Sequence, residues 1–465
     1  MALVLGVEMS SLSTKIEVRD ADDGKLLVSG QSQHAGARPG PGRHDPREWW
    51  QALVEARRNA GGALLVNAIA VAAQSDGLVL LDDHGAVLTE AFIGTDPDLQ
   101  IDAEWLVRDG GGHDTWVDGV GAVPDPAHAV VKLAHLRHHE PEVFERLGAV
   151  LLPHDYLTWR MARRHVTDRA DASNTGYWSP REGRWRPDLL RVIDDSVDWH
   201  HCLPEVLDPG TPAGDREGVM VAPGTGAQAA TALGIGLRPG DVVIALDRSG
   251  TCFASRERLT ADPTGRVSDR ADATGRFLPT VQTFRARDVF ERLAAQVGLD
   301  VALIDQLALK APAGAGGVRF VPYRDRDEGP TRRPEVGFLA GLTADTGPEH
   351  VARALVEGIV CNLLMGLDRL TAAGVPTGGR LWVVGGAARS NAFQRVVADL
   401  AQRPVSVPKV ADAVCLGAAM QAAAVLQGGT AQEVATAWGF DSAREVEPSP
   451  DVDAARIRDD YARAG

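Results

Sequence analysis

Gly224-Thr225-Gly226-Ala227-Gln228-Ala229 follows a short apolar run, Val219 to Ala222, and opens a helical pattern. Glycines spaced this way let a backbone approach the pyrophosphate of a dinucleotide, and Asp247 stands at about the offset of a ribose-binding acid. Such a pair would serve hydride transfer with NAD. The same glycines also suit a tight turn packed against a neighbour, which is the commoner reason for them. No G-x-x-x-x-G-K-[ST] stretch occurs, so a P-loop is excluded. His135, His138 and His139 are metal-ligating types, yet Arg137 and Glu140 beside them suit a solvated helix face. Cys202, Cys252, Cys361 and Cys415 lie far apart with no C-x-x-C pair, which argues against a disulfide framework or a cysteine zinc site.

These residues must be held by ordered elements, and the composition permits them. The chain has 465 residues, 44% of them apolar and 24% charged, enough for a large core without covalent staples. A net charge of −15 argues against a nucleic-acid backbone or an anionic membrane as partner. The first residues lack the basic start of a secretory signal, and the apolar stretch Ala63 to Ala73 is too short for a bilayer, so a cytoplasmic location is expected.

Residues 3–7, 15–19 and 24–28 read as strand, turn, strand, turn, strand. A helix starts at Asp45-Pro46, with an acceptor at the cap and proline in the first turn, and sets Trp49, Trp50, Leu53 and Val54 on one face as core. The theme returns at 242–246 and 252–254, separated by a turn. Helices are expected at 348–372, 391–401 and 415–426, and a strand at 380–384. Two similar α/β halves imply a duplicated architecture with a cleft between them and a hinge near Gly210 to Val221.

A series of motifs in order, from Leu3 to about Leu426, resembles the FGGY carbohydrate kinases, most closely the xylulokinase branch. His44-Asp45-Pro46-Arg47-Glu48-Trp49-Trp50 is similar to the family's Q-D-P-E-x-W-W, and Ala73-Gln74-Ser75-Asp76-Gly77 to its sugar-contacting G-Q-M-H-G. Leu152-Pro153-His154-Asp155-Tyr156-Leu157 and Thr167-Asp168-Arg169-Ala170-Asp171-Ala172-Ser173 resemble L-P-x-D-Y-L and T-D-x-x-D-A-S. Pro322-Tyr323 with the acidic turn at 325–328 resembles P-Y-L-x-G-E-R-x-P, and Gly385-Gly386-Ala387-Ala388-Arg389-Ser390 the nucleotide motif G-G-G-A-x-S. The resemblance implies two ribonuclease-H-like (actin-like ATPase) domains, 1–220 on the sugar side and 221–465 on the nucleotide side, with an interdomain cleft. It also implies transfer of the γ-phosphoryl group of ATP, with Mg2+, to a sugar hydroxyl.

Against that pattern the chain departs where the chemistry is done. The family's proton acceptor is the aspartate of G-x-G-D-N; here Gly224-Thr225-Gly226-Ala227-Gln228 puts alanine in its place. Its first phosphate loop, D-x-G-T-x-S-x-K, becomes Glu8-Met9-Ser10-Ser11-Leu12-Ser13-Thr14-Lys15, with Glu8 as the candidate magnesium ligand and Ser11, Ser13 and Lys15 as phosphate contacts. The second, S-x-G-T-S-G-T, reads Ala245-Leu246-Asp247-Arg248-Ser249-Gly250-Thr251, in which Arg248, Ser249, Gly250 and Thr251 are the candidate contacts, with Gly385, Gly386 and Ala387 for adenosine. On the sugar side Gln74, Ser75, Asp76, Asp96 and Gln228 are the candidates; Asp76 replaces a histidine, and Gly94-Thr95-Asp96 stands where relatives have W-N-D.

Three readings follow. The favoured one is a xylulokinase-like protein impaired or inactive in phosphorylation, with a retained or repurposed ligand cleft. An active kinase with Asp76 as relocated base is the second, and an NAD-binding oxidoreductase the third. The expected partner is a small sugar or sugar-like ligand, with ATP and Mg2+ if the enzyme is active and a homodimer as one arrangement. Asp155, Asp168 and Asp171 read as turn and cap residues rather than sugar ligands.

Overall fold

The computed structural model describes residues 2–38, 40–62, 64–246, 250–283, 294, 298, 300–324 and 335–464. The chain forms two compact units, Met1–Leu237 with Glu257–Leu278 and Val410–Asp441, and Arg238–Arg256 with Pro279–Lys409 and Ser442–Gly465. Relative to a division at residue 220, the first unit runs on to Leu237 and takes in two later segments. The physical reason lies in close packing. The alanine-rich helix Ala413–Gln427 lies so near the strand Leu3–Met9 that a Cβ on Gly6 would stand 2.1 Å from the Cys415 carbonyl oxygen.

The first unit is built on a seven-stranded sheet. Leu3–Met9 pairs antiparallel with Ser13–Asp20, which pairs with Leu26–Gln33, and pairs parallel with Ala68–Ala73 on its other side. Ala68–Ala73 is buried at every position, as a strand covered on both faces requires. The second unit repeats the plan in a six-stranded sheet, with Val242–Leu246 antiparallel to Gly250–Ala254 and parallel to Leu381–Gly385. The strand-turn-strand repetition legible at residues 5 and 245 is therefore a repetition of sheet topology.

The expected helices stand at Pro46–Asn59, Pro348–Ala372, Asn391–Ala401 and Ala413–Gln427. Asp45 caps the first by accepting from the Arg47 amide at 2.9 Å. Its buried face differs from the expected one: Trp49, Ala52, Leu53 and Ala56 are buried. Trp50 is half-buried, with the Arg160 guanidinium 4.8 Å from its ring centre. Residues 49, 52, 53 and 56 follow the helical period, which position 50 does not. Among the described residues one helix, Pro348–Ala372, is long and apolar enough to cross a membrane, and 78% of its apolar window is buried inside the protein.

Candidate functional site

The antiparallel pairing of the first two strands sets Glu8 opposite Lys15 across a tight turn. That turn closes on itself. The Ser10 amide donates to the Ser13 carbonyl at 2.9 Å, and the Ser10 hydroxyl accepts from the Leu12 and Ser13 amides at 3.3 and 3.1 Å. The Ser10 hydroxyl donates in turn to the Ser13 carbonyl at 2.9 Å. Ser11 is buried at the turn, and the Ser13 hydroxyl accepts from the Gln31 side chain at 3.0 Å. Backbone amides that in an open turn would face an anion are met here by a side chain of the turn itself.

Lys15 is held as firmly. Its ammonium lies 3.1 Å from Asp412 Oδ2 and 3.4 Å from Glu8 Oε2. Asp412 caps the helix Ala413–Gln427, accepting from the Val414 and Cys415 amides. Burial and the neighbouring Asp412 carboxylate push the Glu8 carboxyl up to about 8, so it keeps its proton at neutral pH. Burial works against Asp412 as well, but the cap amide, the Glu8 proton and Lys15 hold it below its ordinary value. Glu8, Asp412 and Cys415 are the one group among the described residues with three potential metal-ligand atoms within 4.8 Å. Burial and the two carboxyls push the Cys415 thiol far up, leaving Asp412 as the only anion, already shared by two amides and Lys15. Mg2+ takes ionised and water oxygens in near-octahedral array, and this set does not fit it.

The sugar-side candidates gather around the start of the helix Ala227–Gly234. Ser75 offers its carbonyl to the Asn174 side-chain amide at 3.1 Å. Asp76 Oδ2 accepts from the Thr95 hydroxyl at 3.2 Å. Gln228 Oε1 accepts from Arg270 Nη1 at 3.0 Å, and the adjacent Ala271 amide donates to the Ser173 hydroxyl at 2.9 Å. Asp96 instead caps the short helix Pro97–Leu99, accepting from the Asp98 amide at 3.0 Å. Gln74 Nε2, Asn174 Oδ1 and Arg270 Nε are buried without a hydrogen-bond partner among the described residues. Ala227, the first residue of the helix, contributes only a methyl group.

Two cations here were not singled out from the sequence. Arg270 is 8% exposed, and the charges of Asp125, Asp171 and Asp76 offset part of its burial. Lys132 is fully buried, and burial pulls its ammonium down to about 8 against the opposing pull of Asp76, Asp125 and Asp96. Its Nζ donates to the Pro126 and Ala127 carbonyls, both at 2.9 Å. A single charge inside the apolar run Val130-Val131-Lys132-Leu133-Ala134 is the signal that marks it. Arg270 has no such flag.

Beneath the helix start lies a buried ionic cluster. His154 Nδ1 lies 2.6 Å from Asp171 Oδ2 and its Nε2 3.0 Å from Asp155 Oδ1, with all three side chains at most 1% exposed. Burial opposes the charged ring, but Asp155, Asp171 and Asp168 prevail and raise it to about 10. Burial lifts Asp155 to about 7 and Asp168 to about 6. Asp155 accepts from the Leu152 amide and Asp168 caps the helix Arg169–Ser173, as turn and cap residues do. Asp171 grips the histidine. The glycines of the Gly-x-Gly turn fit around this cluster: at Gly224, with φ +83°, a Cβ would stand 2.6 Å from the His154 ring, and at Gly226 it would stand 2.3 Å from Asp171 Oδ1 and from the Ser75 hydroxyl. Close packing explains both, without a dinucleotide.

In the second unit, register places Leu246 between Gly250 and Gly385, with Thr251 opposite Ala245. Gly386 and Ala387 belong to the short helical turn Gly386–Arg389, followed by the Ser390 cap, whose hydroxyl lies 2.5 Å from Asp305. Asp247, Arg248 and Ser249, and the acidic turn at 325–328, lie outside the described residues.

Residues 3–246 match the N-terminal domain of the FGGY family of carbohydrate kinases, and residues 270–426 its C-terminal domain. The chain is 38% identical over 449 residues to a xylulose kinase of Streptomyces rubiginosus, covering 94% of this chain and 90% of that one. The solved xylulose kinase from Bifidobacterium adolescentis is similar with a TM-score of 0.82 at 32% identity, over 100% of this chain and 99% of the other. That from Rhodospirillum rubrum has a TM-score of 0.85 at 23% identity, over 99% and 98%, which is a likeness of fold.

Proposed function

Because the chain belongs to the FGGY family of carbohydrate kinases and has its two-domain fold of the ribonuclease-H-like, actin-like ATPase type, we propose that it is a sugar-binding member impaired or inactive in phosphorylation. The reading rests on position 227. Its side chain is a methyl group, and the carbonyl of the next side chain, Gln228, already accepts from Arg270. Transfer to a sugar alcohol needs a group that takes the hydroxyl proton as the new bond to phosphorus forms. Losing such a base typically lowers the rate about 10²–10⁴-fold.

The closure of the Ser10 turn supports the same conclusion, since amides engaged by Ser10 are not available to phosphate oxygens. In an active kinase ATP with Mg2+ supplies the phosphoryl group; the protonated Glu8 and the engaged Asp412 do not suit that ion. What the chain keeps is a polar pocket. Gln74, Ser75, Asp76, Asn174 and Gln228 are the donors and acceptors that hydroxyl groups need, and similarity to xylulose kinases makes a ketopentose the ligand class to try first. Calorimetric titration of D-xylulose and of magnesium-ATP, each alone, tests this: heat from the sugar and none from the nucleotide is expected. Micromolar nucleotide binding would reject the reading.

One observation favours a second reading. Among the described residues the Asp76 carboxylate has a single hydrogen-bond partner, Thr95, on Oδ2, leaving Oδ1 to accept a proton. Turnover abolished by Asp76→Asn would identify that carboxylate as a relocated base. The oxidoreductase reading is set aside, since Gly224 and Gly226 are filled by His154, Asp171 and Ser75.

A further inference from the structure

We propose that His135 and His139 chelate a divalent transition-metal ion of the Zn2+, Ni2+ and Cu2+ class on the outer face of the helix Ala129–His139. This site stands apart from the sugar pocket and does not depend on the reading given for it. The two histidines are four residues apart, so one helical turn stacks them on the same face. Their rings lie 4.1 Å apart, tilted by only 27°.

Each ring has its Nδ1 fixed by an acceptor. His135 Nδ1 lies 2.9 Å from Asp102 Oδ2, and His139 Nδ1 lies 2.9 Å from the His135 carbonyl oxygen. A carboxylate and a carbonyl have no proton to give, which assigns the proton of each neutral ring to Nδ1 and the lone pair to Nε2. Two lone-pair nitrogens thus stand side by side, with no hydrogen-bond partner for either among the described residues. Asp102 is 3% exposed, comes from the neighbouring helix Gln100–Asp109, and also accepts from His138 Nδ1 at 2.9 Å. A buried carboxylate orienting an imidazole from behind is the usual support of a metal-binding histidine.

The flanking charges that suggested a merely solvated face are engaged elsewhere. Arg137 pairs with Asp194 at 2.7 Å, and Glu140 with Arg43 at 2.8 Å and the Thr89 hydroxyl at 3.0 Å. His138 turns away and meets Trp105 edge-on at 4.6 Å. It completes no third ligand, because only Glu8, Asp412 and Cys415 bring three such atoms within 4.8 Å among the described residues. The ion would keep water in its remaining positions. Imidazole nitrogen selects the late first-row metals over Mg2+ and Ca2+.

The test titrates the full chain with ZnCl2, NiCl2 or MgCl2, followed by calorimetry and thermal unfolding. One Zn2+ or Ni2+ per chain is expected, with a rise in Tm because the ion binds only the folded helix, and no binding of Mg2+. His135→Ala and His139→Ala should each abolish it, and Asp102→Asn should weaken it by about 10–100-fold while leaving both ligands in place. Glu8→Gln, which alters the other cluster, and His138→Ala should leave the affinity unchanged. Equal binding by the His135→Ala/His139→Ala double variant, or loss of binding in Glu8→Gln, would overturn the assignment, as would failure of Zn2+, Ni2+ and Cu2+ alike to bind the unaltered chain.

Discussion

At the Ser10 turn the amides of Ser10, Leu12 and Ser13 all end on oxygens of the turn itself, whereas around Ser75 the buried atoms Gln74 Nε2, Asn174 Oδ1 and Arg270 Nε end on nothing in the protein. An unsatisfied buried polar atom costs about 1–3 kcal/mol, so a fold keeps several together chiefly where a ligand completes them. A satisfied loop gains nothing from an anion. The contrast locates what has been kept and what has closed: a polar pocket suited to hydroxyl groups, beside a turn that no longer offers its backbone to phosphate.

The largest effect should come from the base of the pocket. His154→Ala leaves Asp155, Asp168 and Asp171 buried without their cation, and breaking a buried ion pair this way costs about 3–5 kcal/mol. Urea denaturation of the variant should show it, and unchanged stability would mean the cluster does not support the Gly224–Gly226 turn.

On the closed side, Glu8→Gln should alter how stability depends on pH. The Glu8 carboxyl titrates near 8 when folded and near 4.5 when unfolded. Its contribution is therefore complete below pH 4.5, declines as pH rises towards 8 and is gone above it. Relative to the variant, the unaltered chain should lose on the order of a few kcal/mol between pH 5 and 8. Parallel pH profiles would remove the protonated Glu8 from the account.

Arg270→Ala frees Gln228 and removes a buried donor from the open side, so D-xylulose affinity should fall by about 10–100-fold, the worth of a charged hydrogen bond. The smallest effect belongs to Ser10→Gly, which releases the Leu12 and Ser13 amides and should tighten ATP binding by about tenfold or less, measured by calorimetry. A variant that binds no better would show that the turn is not what excludes nucleotide.

Much of the frame was legible in the chain. Asp45-Pro46 announced a capped helix start, the strand patterns near residues 5 and 245 announced two similar sheets, and eight motifs in order announced the family. Asp155 and Asp168 took the turn and cap roles their types suggest. What stayed hidden depends on contacts between distant segments. Arg270 reaches Gln228 across 42 positions, and Lys15 meets Asp412 across 397. Nor does the substitution at Ser10 reveal that its hydroxyl will turn inward and take up the amides of its own loop. The histidine triplet misled in the other direction, because Asp102 and the partners of Arg137 and Glu140 lie on other elements.

The most direct measurement is formation of ADP from magnesium-ATP in the presence of saturating D-xylulose, compared with ATP alone. With a methyl group at position 227 the sugar should bring no ADP above the background of ATP alone. Sugar-dependent ADP formation at an ordinary enzymatic rate, lost on Asp76→Asn, would contradict the account and return the chain to the working kinases.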